Sequence, residues 1–499
     1  MLCELEVPFM RRAAIASSCL SLAASGLLSG LLAGALTGCP DRSISKVDPL
    51  QGRVEFKDIP VTVNRDLDLL FLVDDSPSMG DKQTNLAANF PKFIDVLNTI
   101  PGGLPNVHIA VVTSDLGSKG AADPAPGPGI GTLGSGGCSG TGKAGNMQLF
   151  GAPVSGGQYI SDIGQPDGSR VKNYTGNLTD VFKTMAKAGA GGCGFEQHLE
   201  AVRQALQPSN ATNIGFLRDD AFLAVIIIAD EDDCSMAHSS LLVSNESGPL
   251  GALQSFRCTR FGVTCDDNGT TSTTMNEVGP KGRCHPNDDS AYLTKVTDFV
   301  GFLKNLKKAD TSKVIVAGIM GTTEPFATEL RAPPGTTTKL PALAHSCTYV
   351  GGDGKAEVAD PPIRMKFFLD QFPNRSTFAS ICQQDLSGGL TQIGDLLKTV
   401  IGDPCIEGKL VGPPYECSVS SVIDPGKPTQ IETIMPKCNP EDGSGTTQPC
   451  WHIVATDAIT CPNADHLTLK IEHEDTLRAA NMNTHVLANC VTEVIDTAP

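Results

Sequence analysis

Four stretches of the chain, 67–74, 107–114, 221–230 and 312–320, are apolar at nearly every position, and each is about one strand long. Runs of this kind suit strands covered on both faces, as in a parallel sheet packed between helices. Between them the period changes. Leu86, Phe90, Phe93, Ile94 and Leu97 recur at helical spacing, interrupted only by Pro91, and Leu293, Val296, Val300, Leu303 and Leu306 do the same. Further helices are predicted over 178–186, 195–206, 365–371, 377–383 and 390–401. Strands alternating with helices predict an α/β fold, a doubly wound and mostly parallel sheet.

Three stretches break the alternation, near 116–170, 231–290 and 321–361, and read as elaborated loops inserted into one domain spanning 66–402. Beyond residue 402 the helical period fades, and short apolar runs at 451–455 and 467–471 stand between turns. With six cysteines in 403–499, this part predicts a small β module in which crosslinks substitute for a large core.

The first 38 residues carry Arg11 and Arg12 and then a long run of Ala, Leu, Ser and Gly ending in Leu36-Thr37-Gly38-Cys39. That ending resembles a bacterial lipobox, which makes 1–38 a signal peptide, Cys39 the lipidated residue and 39–65 a tether. An uncleaved transmembrane anchor is the other reading, since the run is long enough to span a bilayer. The lipoprotein reading implies the bacterial cell envelope, with the membrane as a partner through lipid only. No Asp directly follows Cys39, which favours the outer membrane in a Gram-negative source.

Cysteine usage agrees with export. Of 17 cysteines, setting aside Cys3, Cys19 and Cys39 leaves 14, with eight between Cys138 and Cys382 and six between Cys405 and Cys490. Each block can pair within itself, and disulfides are expected. The formal net charge of −17, with no basic patch interleaved with aromatics, argues against nucleic acid as a partner.

Candidate chemistry gathers where the first apolar run ends, in Asp74-Asp75-Ser76-Pro77-Ser78-Met79. A buried strand that delivers a carboxylate, followed at once by two hydroxyls on a tight turn, offers hard oxygen ligands for Mg²⁺ or Mn²⁺, and for Ca²⁺ less well. The D-x-S-x-S spacing resembles the metal-ion-dependent adhesion site of von Willebrand factor A (vWA) domains. In that family the cation is held by the Asp and two Ser of this loop, a Thr of a middle loop, and an Asp closing a later strand. The resemblance implies Asp74, Ser76, Ser78 and Asp230 as metal residues and extends over roughly 67–401. It departs at the middle loop, where Gly191-Gly192-Cys193-Gly194-Phe195 places Glu196 at the Thr position. A carboxylate there strengthens hold on the cation but blunts its attraction for an incoming acidic group.

Each of these residues has a plainer reading. Asp and Ser are favoured helix N-caps, and Glu196 suits the first turn of a helix as well as a ligand position. Asp232, Asp233 and Ser235 read as a solvated acidic turn or a second cation site. His198 lies two residues from Glu196, so the two point apart on a helix and make no acid/base pair. No histidine pair has metal spacing, and no G-x-S-x-G elbow occurs. The resemblance implies a non-enzymatic, cation-dependent binding protein whose unidentified protein ligand meets the loops beside the metal. Its rivals are a hydrolase with the cation as Lewis acid and Asp232 or Glu196 as general base, and an envelope protein whose cation only stiffens the fold.

Overall fold

The computed structural model describes residues 56–59 and 66–491 except 101–102, 166–168, 246–247, 308–310, 334–335, 403–405, 407–408, 424–429, 445–447, 456–464 and 474–483. The signal segment, Cys39 and most of the stretch read as a tether lie outside the described residues. Among those described, no helix is long and apolar enough to cross a membrane.

The fold is mixed α/β around a seven-stranded sheet, with eight α-helices among the described residues. From one edge to the other the strands are Ser376–Ser380, Val314–Met320, Phe222–Ile228, Asp66–Val73, Asn106–Val112, Ile160–Gly164 and Arg170–Lys172. The first five run parallel and the last two antiparallel. The four apolar runs are the four central strands, which explains their lack of alternation: both faces are covered. Leu67, Leu69, Phe71 and Val73 enter one apolar cluster with the helices Gly80–Asn98, Leu178–Met185 and Ser387–Gly402. Leu70 and Leu72 enter the opposite one, with His198–Leu206, Val296–Leu306 and Ile363–Asp370. Phe71 lies at the centre of the first cluster, its ring 5.9 Å from Phe90, 5.8 Å from Phe93 and 4.7 Å from Phe182.

One predicted helix is a strand. Residues 377–383 read as helical in the sequence, yet Ser376–Ser380 pairs in parallel with Val314–Met320, Val316 opposite Ser376. Spacing over so short a segment does not separate the two periods, and Thr and Phe are favoured in strands. The helix starting at Ser387 lies over this edge, the Gln392 amide meeting the Thr377 hydroxyl.

The stretch near 116–170, read as a loop, ends in the sheet strand Ile160–Gly164, while those spanning 231–290 and 321–361 carry only short elements of their own, including the helix Phe256–Gly262 and the antiparallel pairs Ala327–Arg331 with Leu340–Leu343 and Cys347–Val350 with Ala356–Ala359. The C-terminal part is β structure, in the order Phe56–Ile59, Thr484–Val491, Cys417–Ile423, Ile431–Met435, beside the hairpin Cys450–Ala455 and Leu467–Glu472. Phe56–Ile59 comes from the stretch read as tether, so that stretch supplies a strand to the C-terminal sheet. Disulfides join Cys138 to Cys193, Cys234 to Cys258, Cys265 to Cys284 and Cys347 to Cys382. Two more join Cys417 to Cys490 and Cys438 to Cys450. Each lies within its own block, and Cys405 and Cys461 fall outside the described residues.

Candidate functional site

Two neighbouring parallel strands, Asp66–Val73 and Phe222–Ile228, end level with each other, Val73 opposite Ile228, and the next residues leave the sheet at its C-terminal edge. That is the edge where loops of an open α/β sheet converge on ligands. The backbone N–H of Asp74 donates to the Ile228 carbonyl at 3.0 Å, which fixes Asp74 beside the loop that carries Asp230. Asp74 Oδ1 accepts the Ser76 N–H at 2.8 Å and the Ser114 hydroxyl at 3.0 Å. The Ser76 and Ser78 hydroxyls are 3.0 Å apart, and Ser78 Oγ donates to Asp230 Oδ1 at 3.1 Å. Four residues picked from the sequence, Asp74, Ser76, Ser78 and Asp230, therefore form one continuous polar chain across 156 positions of separation at its ends.

The backbone around this chain is tight. Gly192 N–H donates to the Asp75 carbonyl at 2.7 Å, and a Cβ at Gly192 would lie 2.4 Å from Asp75 Oδ1, so only glycine fits. Asp75 itself turns away from the chain onto the Lys143 ammonium, and burial still pushes its carboxyl up to about 6.

Three partners were missed in the sequence. Lys82, 1% exposed, sets Nζ 3.1 Å from Asp230 Oδ2, 3.1 Å from the Ser78 carbonyl and 3.0 Å from Glu357 Oε2. Burial would lower its pKa, but the two carboxylates outweigh burial and raise it. His198 is fully buried with Nε2 3.5 Å from Asp74 Oδ2, a charge contact too long for a good hydrogen bond. Burial opposes protonation of that ring and Asp74 favours it, with a net upward shift. Ser114, the last of the 107–114 run, is the third. Lys82 stands four residues after Ser78, a helical spacing that could have marked it, whereas nothing local marks His198 as a neighbour of Asp74.

Glu196 is 1% exposed with Oε1 unpartnered. Burial, then Glu231 and Asp74, push its carboxyl well above the usual range, and Glu231 is raised likewise by burial and by Asp360 and Asp230. Asp230 is pushed up to about 6 by burial and Asp74 despite Lys82. The site thus holds more buried negative charge than Lys82 and His198 balance, a surplus that protons or a cation must offset.

Asp232, Asp233 and Ser235 form neither a solvated turn nor a second cation site. Asp233 Oδ1 accepts the Leu199 N–H at 2.9 Å and Ser235 Oγ the Glu200 N–H at 2.8 Å, capping the helix His198–Leu206 from a distant loop. Asp232 accepts the N–H groups of Arg364 and Met365 at the start of another helix, at 3.0 and 3.2 Å. With both oxygens so employed, Asp232 is no free general base.

Among the described residues, no three His, Cys, Asp or Glu side chains converge as a metal cluster on their own. A cation at this edge therefore needs the serine hydroxyls. The donor set suits it: two hydroxyls and two carboxylates, one of them with Asp74 Oδ2 buried and without a hydrogen-bond donor, are hard ligands for Mg²⁺ or Mn²⁺.

No family model matches the chain, and no curated protein matches it. Among solved structures it is similar to proximal thread matrix protein 1 of the mussel byssus, at 8% identity and TM-score 0.27, covering 70% of this chain and 51% of that one. It is similar to the pilus adhesin SpaC of Lactobacillus rhamnosus GG, at 10% identity and TM-score 0.28, covering 86% of this chain and 37% of that one. It is also similar to BatB of Bacteroides thetaiotaomicron, a conserved hypothetical protein, at 8% identity and TM-score 0.24, covering 67% and 98%. The chain thus spans about half the length of the byssus protein and little more than a third of the adhesin.

Proposed function

We propose that the chain is an envelope lipoprotein, anchored at Cys39, whose vWA-like domain binds a partner protein in a manner that depends on a divalent cation. The observation that carries this reading is the hydrogen-bonded run Asp74, Ser76, Ser78, Asp230 at the C-terminal ends of two adjacent parallel strands. Those four residues would hold Mg²⁺, or Mn²⁺ or Ca²⁺ in its place, with Glu196 adding to the negative charge around it. The cation would supply an electrophilic point for an acidic group of the partner, and the loops near 116–170, 231–290 and 321–361 would supply the recognition surface. This is binding, not turnover.

Pulldown from envelope extracts with and without EDTA, paired with a melting curve of the same samples, tests the reading. Capture should be lost on chelation while the melting temperature holds. A large fall in melting temperature with capture intact would instead make the cation a structural element.

Lys82 gives a second expectation. Its ammonium lies 3.1 Å from Asp230 Oδ2 and would repel a divalent ion held on the same carboxylate; two unit charges about 4 Å apart repel by roughly 4 kcal/mol at an effective dielectric near 20, and a divalent ion doubles that. Lys82→Met should therefore tighten Mn²⁺ binding by at least about tenfold, or about 1.4 kcal/mol, in a calorimetric titration. Weaker binding in Lys82→Met would mean the ammonium organises the site instead of competing for it.

A further inference from the structure

A cavity of about 270 Å³ opens beside the Asp230 loop, between the helix Phe256–Gly262 of one insertion and the Ala327–Arg331 and Leu340–Leu343 pair of another. It adjoins the site directly, because Glu231 follows Asp230 and the Asp360 N–H donates to the Asp230 carbonyl at 2.7 Å. Its walls are of two kinds. Phe256, Pro333, Ala342 and Leu343 are apolar, whereas Glu196, Glu231 and Asp360 bring carboxylates.

We propose that this cavity binds an alkylammonium group, the side chain of a lysine on a partner protein or the end of a free diamine. Glu196 supplies the decisive observation: it lines the cavity, is 1% exposed, and leaves Oε1 without a hydrogen-bond donor. A buried carboxylate oxygen with no donor costs free energy that a ligand N–H would recover. The other charged groups nearby are already engaged. Arg331 donates to Glu329 and to the Leu343 carbonyl, Asp232 accepts from a helix start, Asp360 Oδ1 lies 2.6 Å from His345 Nδ1, and Glu231 shares a side-chain hydrogen bond with Glu196, which leaves Glu196 Oε1 open.

The class of cation follows from the lining. No three of the carboxylates converge as metal ligands would, and a bare divalent ion has no use for apolar walls. An ammonium on an aliphatic stem uses both, burying its methylenes along Phe256 and Leu343 while its head meets Glu196. The volume lies just below the usual range for drug-sized ligands, which suits one side chain or a short amine.

This inference goes beyond the cation-dependent reading, and it is tested without the cation. In EDTA, the full chain is titrated calorimetrically with N-acetyl-lysine methylamide, 1,5-diaminopentane and, as the neutral counterpart, N-acetyl-norleucine methylamide. The lysine derivative or the diamine should bind at about millimolar Kd, at least about tenfold tighter than the norleucine derivative. Tighter binding of the lysine derivative assigns a protein partner, and tighter binding of the diamine a free amine. Glu196→Gln and Glu231→Gln should each weaken binding about tenfold, and Ala342→Phe, which fills the cavity, should abolish it. Equal binding of lysine and norleucine derivatives, or affinity unchanged in both glutamine variants, would overturn the proposal. Because chelator is present throughout, failure here leaves the EDTA-sensitive capture experiment to stand or fall separately.

Discussion

Asp74→Ala should abolish uptake of Mg²⁺ or Mn²⁺ without unfolding the protein. Asp74 organises the site from its first loop, since Oδ1 holds the Ser76 turn and the Ser114 hydroxyl while Oδ2 stays buried without a hydrogen-bond donor. Changes to groups merely behind a metal ligand cost roughly 10- to 100-fold in affinity, so loss of the ligand itself should exceed about 100-fold, or about 2.8 kcal/mol. The fold should survive because two effects oppose each other. Losing the acceptor of the Ser76 N–H and the Ser114 hydroxyl costs roughly 1–3 kcal/mol. Removing a buried negative charge relieves Asp230 and Glu196, both of which Asp74 pushes up after burial itself. Asp74→Asn separates these terms: it keeps an oxygen for both donors and deletes the charge. Calorimetry should show lost cation binding in both variants, with chelated melting temperatures within a few degrees of the parent. Unaltered Mg²⁺ or Mn²⁺ affinity in Asp74→Ala would refute the metal assignment.

The parts of the site that the sequence made legible are those set by local chain geometry. An apolar run that ends in Asp74, and another that closes on Asp230, state both the strand and the edge at which it ends, and parallel neighbours then bring the two together. The doubly wound sheet was legible for the same reason, because buried parallel strands abolish alternation. What could not be read depends on contacts made across the fold. Glu357 reaches Lys82 from 275 residues away, and Asp233 caps a helix 34 residues before it in place of any cap at Gln197. Residues 377–383 failed for a different reason: an edge strand of five half-buried residues has no period long enough to distinguish from a helical turn. Glu196 is intermediate. Its place in the middle loop was legible, but the insertions that enclose it in a cavity were not, since irregular loops carry no periodicity.

Arg364→Ala should destabilise the domain by roughly 3–5 kcal/mol, because breaking a buried ion pair leaves its partner uncompensated. Arg364 is 1% exposed, and its Nε and Nη2 lie 3.2 and 3.0 Å from Asp233 Oδ2. The same guanidinium donates to the carbonyls of Thr294 at 2.8 Å and Gly262 at 3.4 Å. Asp233 in turn holds the Leu199 N–H and accepts from Ser235 Oγ at 2.6 Å. One ion pair therefore ties together the start of His198–Leu206, the loop after Phe222–Ile228, and the end of Phe256–Gly262. Truncating Arg364 removes the cation paired with Asp233 Oδ2, and the loop carrying Asp230 loses its anchor on that side. Urea unfolding of Arg364→Ala, Asp233→Asn and the double variant forms a cycle that isolates the pair. The double variant should recover part of the loss, since an amide at position 233 still accepts from Leu199 and no longer buries a charge. Were Asp233 instead the ligand of a second cation, added Ca²⁺ would restore the stability of Arg364→Ala; the geometry predicts no such rescue, because Oδ1 stays committed to the Leu199 N–H and the Ser235 hydroxyl and the single freed oxygen is too few ligands for Ca²⁺.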